Sequence, residues 1–505
     1  MREDWREMIN GLLALVVFLP IISAPIMYVL RKRFGKSLDW GPFIILLFIT
    51  LITAPLVLMA HEQNILEEYL WTTTPVKLTF GLLGDGLSVP VLFTMIFVFA
   101  FSVLFSIPYM RRRMQRGDIV ESDGKYAVYY TFYLLYAGSV LGAILSTNLI
   151  EFYFFFECAV VFSWFLIFIY GYGKREKISL TYFIWTSVGA LFLLTGILFA
   201  YQYIGSFEIA DLWRISESPI GTWIGLAFTL GILVKIGALG LHGWLPSTYG
   251  EAPTPVSAVL GATSVVLGTY SLARLLVPFR EVMFGISVWL ELWALLTILY
   301  AGVMALRQSD TKRLVAYLSM SQMNYCFLGV FTYMYHGVLG AVSYSLSHGL
   351  AIALLFLVAG AIQYRTGTRN MDELGGLAAK LPSSMIAILV GFLTIGGLPP
   401  SVGFKSKFIL LTGAFERAFM SARALEWIIA ILAATVATII TVAYEFRTVW
   451  RVFYGKLPRQ LQDIREEPLS MIVALLALSS LLILFGIWPM IITKPLDVFF
   501  EHLPW

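Results

Sequence analysis

Residues with acid–base chemistry stand where water does not belong. Glu157 lies in the run IEFYFFFECAVVFSWFL, Lys235 just ahead of a glycine-rich break, and His348 within SYSLSHGLAIALLF. Lys405 and Lys407 follow the dipeptide Pro399–Pro400 in another apolar run. A charged Lys or Asp at the centre of a membrane helix costs about 2.5–3.5 kcal/mol on insertion scales, so a chain that keeps several needs them for something. A carboxylate beside an ammonium in a low dielectric forms a switchable pair, because each holds the other charged and a proton moved near one resets the other. Buried lysines also release their protons readily. Glu157 with Lys235 therefore reads as a gate and Lys407 as a second station.

Each of these residues has a static alternative. Glu157 and Lys235 would be an ion pair that fixes packing, His348 a hydrogen-bonded core imidazole, and Lys405 a chain snorkelling to the interface. Asp85 and Glu151, nearer a span boundary, read as solvated or capping groups. His242, in the turn-rich stretch HGWLPSTYGEAPTP, serves either proton uptake or packing. Glu445, close in sequence to Arg447 and Arg451, reads as an interfacial ion-pair group with a weaker claim on proton uptake.

The elements that must position these groups follow from composition. Of 505 residues, 59% are hydrophobic and only 13% charged, against about a quarter charged in soluble domains. Mean hydropathy is +0.81. The net charge of +4 and the lack of a basic block interleaved with aromatics exclude a nucleic-acid binder. Cys158 and Cys326 sit in apolar runs and read as small buried hydrophobes. The five histidines form no HExxH pair, and neither a phosphate loop nor a cysteine cluster is present, so no cofactor and no metal is expected in this chain.

An all-α, polytopic membrane fold of about 14 spans is predicted, each needing roughly 20 apolar residues. The first, from about Met8 to Leu30, reads as a retained span and not a cleaved signal. Alternate loops carry Arg31–Lys32–Arg33, Arg111–Arg112–Arg113–Arg116, Lys174–Arg175–Lys177, Arg307–Lys312–Arg313, Arg365–Arg369 and Arg447–Arg451–Lys456, which places them on the cytoplasmic side and both termini outside. Spans 7 and 12 are broken: GILVKIGALGLHGWLPSTYGEAPTPVSA and TIGGLPPSVGFKSKFILL each join Gly/Pro-rich backbone to an intramembrane lysine. Each is the fourth span of a five-helix unit, spans 4–8 (residues 126–278) and 9–13 (279–455), flanked by helices 1–3 (1–125) and a last helix (456–505). Units of odd span number are inverted relative to one another, and broken helices at matching positions of inverted repeats point to an ion path.

These segments resemble the antiporter-like subunits of complex I, especially the chain-M type, the D chain of Mrp sodium/proton antiporters, and the corresponding chain of archaeal membrane-bound hydrogenases. The resemblance is carried by GLLGDGLSVPVLF, NLIEFYFFFE, LVKIGALGLHGWLPSTYGEAPTPVSA, QSDTKRLVAYLSMSQM, SHGLAIALLFLVAGAIQYRTGTRNMDELGGL and GGLPPSVGFKSKF, nearly the whole core. It implies that Glu157, Lys235, His348 and Lys407 are proton-translocating residues. It implies protons, or protons coupled to sodium, as cargo, and a prokaryotic plasma membrane as location. Its expected partners are further antiporter-like or small hydrophobic chains and peripheral redox subunits that hold iron–sulfur clusters or other redox centres.

Two departures stand out: Val266 and Gln322 occupy positions where family members usually carry Lys and His. Thr263, Ser264, Tyr317 and Gln322 would then complete the polar path through bridging water, or the subunit keeps the fold as a scaffold without pumping. The end of the chain soon after the last span suggests the shorter D/M type, without the lateral arm of the largest family member. A dedicated cation/proton antiporter subunit is the other expectation.

Overall fold

The computed structural model describes residues 11–72, 78–115, 123–420 and 424–503. Met1–Glu7, the first residues of the expected opening span, and Arg116 lie outside them. In chain order the helices are α1 (Leu12–Phe34), α2 (Gly41–Met59), α3 (Ser88–Gln115), α4 (Asp123–Leu145), α5 (Leu149–Tyr170) and α6 (Arg175–Ile204). Next come α7 (Pro219–Ile236), α8 (Leu245–Glu251), α9 (Thr254–Leu276), α10 (Arg280–Met283), α11 (Ser287–Leu306) and α12 (Thr311–Phe331). The remainder are α13 (Tyr335–Thr366), α14 (Pro382–Gly396), α15 (Val402–Met420), α16 (Ala424–Phe453), α17 (Leu469–Ile487) and α18 (Met490–Glu501).

Among the described residues 13 helices are long and apolar enough to cross a membrane. The fourteenth expected span is the second broken one. Its first half, α14, has 15 residues and is too short to cross alone, while α15 carries too much charge over its 19 residues. Both breaks turn on a glycine in the left-handed region, Gly237 at φ +75° after α7 and Gly397 at φ +67° after α14. A side chain there would be strained, and the glycine lets the backbone leave the helix axis abruptly.

The core is built around α9 and α13, whose most apolar stretches are entirely buried, with those of α12 and α3 nearly so. The 32-residue α13 packs against α9, α12, α14, α15, α3 and α17. Peripheral helices turn apolar side chains outward, as Ile44 and Leu51 do on α2, Leu191 and Phe199 on α6 and Ile439 on α16. That surface suits lipid, and irregular backbone at the breaks stays covered by protein, as a bilayer demands.

One element lies outside the all-helical expectation. Strands β1 (Ile65–Thr72) and β2 (Leu78–Gly84) form an antiparallel hairpin running from Ile65↔Gly84 to Thr72↔Leu78, with an irregularity between Leu70 and Thr72. Its Glu67, 4% exposed, accepts hydrogen bonds from the first free amides of α1, Leu13 N at 2.9 Å and Ala14 N at 3.0 Å. A carboxylate at a helix N-terminus is favoured by the unpaired N–H groups there.

The solvated reading of Asp85 and Glu151 is corrected: both are buried. Asp85 does cap, accepting from Leu87 N and Ser88 N at 3.1 and 2.8 Å, but it also pairs with Arg274 at 2.8 Å. Burial alone would raise its carboxyl, yet the Arg274 guanidinium and these hydrogen bonds hold it below the usual carboxylate range. Glu151 Oε2 accepts from Gly81 N at 3.1 Å and Asn148 Nδ2 at 3.2 Å. Lys312, grouped above with the basic loops, is also fully buried, and its Nζ donates to Ala252 O at 2.6 Å at the end of α8. Asp310 caps α12 through Lys312 N, which draws that lysine into the first turn and under the first broken span.

Candidate functional site: two lysines at the ends of broken helices

Lys235 occupies the last turn of α7, one residue before Ile236 and the Gly237 break, and is 4% exposed. The carbonyls that end a helix carry its negative partial charge and have no amide partners of their own, which favours an ammonium at that place. Its Nζ lies 5.1 Å from the centre of the Phe156 ring. Glu157 is the carboxylate whose charge acts on Lys235, and the influence is mutual. Glu157 is half-buried on α5, and its Oε1 has no hydrogen-bond partner in the chain. The sequence places a glutamate and a lysine in separate spans, and the fold sets them near enough for each charge to act on the other.

The second station also sets a buried lysine at the break of a broken helix. Lys407, 5% exposed, stands in the second turn of α15 and donates from Nζ to Ile395 O, in the last turn of α14, at 2.8 Å. Here the ammonium bonds the carbonyl end of the preceding half-helix, whereas Lys235 stands in the last turn of its own. Its Nζ also lies 4.6 Å from the centre of the Tyr325 ring and 5.1 Å from that of Tyr344. The carboxylate acting on Lys407 is Glu445. Glycines make this possible. A Cβ on Gly397 would meet Lys407 Cδ at 2.8 Å, and one on Gly396 would meet Glu445 Oε2 at 2.6 Å.

The interfacial reading of Glu445 is therefore corrected. It is 2% exposed, while Arg447 donates to Leu306 O at 2.8 Å and Arg451 pairs with Asp372. Around it runs a connected polar set. Tyr344 OH lies 3.0 Å from Ile395 O and 2.9 Å from Gln322 Oε1, and Gln322 Nε2 donates to Thr441 Oγ1 at 3.0 Å. Gln322 thus belongs to the Lys407 station. His348 is fully buried, 5.9 Å ring to ring from Tyr344, and it feels the charge of Lys407. Neither ring nitrogen has a hydrogen-bond partner in the chain.

Between the two stations lies α9. Val266 is fully buried, and its Cγ2 would sit 2.4 Å from a Cβ on Gly349, so α9 and α13 touch next to His348. Thr263 Oγ1 is buried without a partner, and Ser264 Oγ accepts from Tyr249 OH at 2.7 Å. Tyr317 is not part of this axis: it stands in the second turn of α12, half-buried, near Tyr300 and Arg313. His242 is half-buried in the break with its ring 5.1 Å from Tyr300, and its Nδ1 accepts from Gly240 N at 3.2 Å. Lys405 is half-buried, about 200° around α15 from Lys407 and hence on another face. Cys158 and Cys326 are both free thiols.

Residues 146–441 match the family described as NADH:quinone oxidoreductase/Mrp antiporter, a stretch that contains both stations except Glu445. The chain belongs to this family. It is 31% identical over 419 residues to the F(420)H(2) dehydrogenase subunit M of Methanosarcina mazei, covering 80% of each chain. Its fold superimposes on a chain of respiratory complex I from Thermus thermophilus with TM-score 0.83 at 25% identity, covering 97% of this chain and 98% of that one. A chain of the Mrp complex from Dietzia sp. gives TM-score 0.82 at 20% identity, with 97% of both covered. The protein is an antiporter-like, multi-pass membrane subunit of the complex I type. In that family such chains are parts of multisubunit membrane complexes, and the redox centres reside in other subunits.

Proposed function

We propose that this chain translocates protons, or protons coupled to sodium, across a prokaryotic plasma membrane with both termini outside, as one subunit of a redox-driven respiratory complex. The observation that supports the reading is a recurring arrangement: a buried lysine at the break of a broken helix, with a glutamate from another helix acting on it. In the first station Glu157 biases Lys235; in the second Glu445 biases Lys407. A change of charge or shape in a neighbouring subunit weakens the hold of Glu157 on Lys235. The Lys235 Nζ then gives its proton inward past Thr263 and Ser264 to His348 and Lys407, which passes it outward. Further antiporter-like or small hydrophobic chains are the expected neighbours, with iron–sulfur or other redox centres in peripheral subunits.

The test is ion movement by the assembled complex in sealed vesicles, followed with an internal pH dye. Lys235→Ala and Lys407→Ala are each expected to lose pumping while the driving reaction persists; wild-type pumping in either would refute the mechanism. Buried Val266, packed between the stations, favours a second reading, a scaffold with a lost channel, and wild-type transport in Lys235→Ala would select it. Gentle solubilisation and mass spectrometry of partners separate a redox pump from a stand-alone sodium/proton antiporter, which would retain hydrophobic subunits and no redox protein.

A further inference from the structure

Glu291 is a buried carboxylate that the two stations do not use. It lies one turn into α11 and is 2% exposed, and its Oε1 has no hydrogen-bond partner in the chain. A group so placed normally finds partners, because an unmet buried acceptor costs about 1–3 kcal/mol. The charge acting on it is that of Arg417 on α15. Arg417 in turn donates to Phe284 O at 2.9 Å and Ser287 Oγ at 3.3 Å. Lys407 and Arg417 share the buried face of α15, roughly 15 Å apart along its axis.

Beside Glu291 the backbone departs from ordinary geometry. Tyr333, between α12 and α13, has φ +51°, the only positive φ of a non-glycine among the described residues. For a bulky residue this conformation is strained, and such strain gathers at working sites. Tyr333 is 2% exposed, its hydroxyl has no hydrogen-bond partner in the chain, and the charge of Glu291 acts on it. It also lines a cavity of about 620 Å³, shared with Arg280, His336 and Glu416, on the face opposite the basic loops. At its mouth His336 Nδ1 and Glu416 Oε1 are 2.6 Å apart, both partly exposed. A cavity, a strained phenol and a buried carboxylate thus stand in sequence.

We infer that Glu291 is the discharge group for the proton leaving Lys407, releasing it past Tyr333 into the outer cavity. The inference rests on the translocation reading above. The N–H bond at Lys407 Nζ breaks, and an O–H bond forms on Glu291 Oε1 by way of intervening hydroxyls or water. That O–H then breaks toward water in the cavity, which carries the proton out past the His336–Glu416 pair to the outer solution, while Lys407 regains a proton from the His348 side. Glu291 returns to a carboxylate facing Arg417, and no bond or charge is gained overall.

Glu291→Gln, Glu291→Asp, Tyr333→Phe and Lys407→Ala are compared in the assembled complex in vesicles, with assembly checked on native gels. Glu291→Gln is expected to reduce pumping to the level of Lys407→Ala, Tyr333→Phe to slow it several-fold, and Glu291→Asp to restore most of it. Infrared difference spectra of the driven complex should show a protonated-carboxyl band that Glu291→Gln abolishes, a signal no packing role would give. Wild-type pumping in Glu291→Gln alongside loss in Lys407→Ala overturns this inference and leaves the translocation reading intact. Wild-type pumping in both defeats the translocation reading itself. Should Glu291→Gln fail to assemble, wild-type pumping in Tyr333→Phe together with no Glu291 band in the unaltered complex overturns the assignment.

Discussion

Removing one partner of the Lys407–Glu445 station should cost far more than removing both. Lys407 Nζ lies 3.7 Å from where a Cβ on Gly397 would be, and Glu445 Oε2 lies 2.6 Å from the equivalent point on Gly396. Neighbouring Cβ positions are less than about 7 Å apart, so the two charges are within roughly 13 Å of each other. Between contact at about 4 Å and that bound, an effective dielectric of 20 gives a coupling of ~4 down to ~1.3 kcal/mol. Lys407→Met or Glu445→Gln alone strands a buried charge, a loss of about 3–5 kcal/mol in soluble precedents. The double variant strands none and should recover most of it. Cys326 is fully buried on α12, beside this station, and reports local opening through its rate of thiol labelling. Labelling would be read on this chain's gel band in a Cys158→Ser background. The double-mutant cycle should then show a coupling of about tenfold to a thousandfold in labelling rate. Additivity of the two substitutions within about 0.5 kcal/mol, the usual behaviour of independent sites, would refute the pairing.

Asp85 and Gly397 give two independent checks. Asp85→Asn leaves the Arg274 guanidinium buried without its carboxylate and should destabilise the chain by about 3–5 kcal/mol. Because the Asp85 carboxyl is held below its ordinary value in the fold, its contribution is complete above that value and is lost only as pH falls below it. The unaltered protein should therefore lose stability on this account only in acid, and the Asn variant should lack that component; an unchanged acid limb in thermal melts would contradict it. Gly397→Ala forces a left-handed alanine, about 1–2 kcal/mol, and pushes a methyl group toward Lys407 Cδ. Pumping should fall more than stability does, whereas a variant that pumps normally would show that the break need not hold Lys407 in place.

How much of this was legible depended on whether a residue's chemistry could be judged from its neighbours along the chain or only from its face of a helix. Glu157, Lys235, His348 and Lys407 stand out because each interrupts an apolar run, and for the last three the structure shows burial. Both breaks were legible because Gly237 and Gly397 sit where a helix can end on a left-handed residue. Glu445 and Lys312 each have basic neighbours in sequence, which suggests an interfacial ion pair for the one and a basic loop for the other, yet both are buried. On a helix, residues two apart point about 200° from each other, so Arg447 reaches Leu306 O while Glu445 faces inward.

A signal for Glu445 was nevertheless present. Thr438, Thr441, Glu445 and Thr448 follow one another at helical spacings of three and four, a single polar stripe on α16. In the structure Thr438 meets Tyr325 OH at 3.0 Å, Thr441 meets Gln322 at 3.0 Å, and the charge of Glu445 acts on Lys407. In a membrane the outward face of a helix needs only to be apolar, whereas an inward stripe of hydroxyls must find partners or water. Polar residues that repeat at helical period inside a span therefore mark the face turned to the ion path more reliably than charge runs at its ends. By the same rule Ser319, Gln322 and Tyr325 continue one buried stripe on α12, so under the proposal Gln322 lies within the path. Under the proposal the one apolar step between the stations is Val266, which water held by Thr263 and Ser264 must pass.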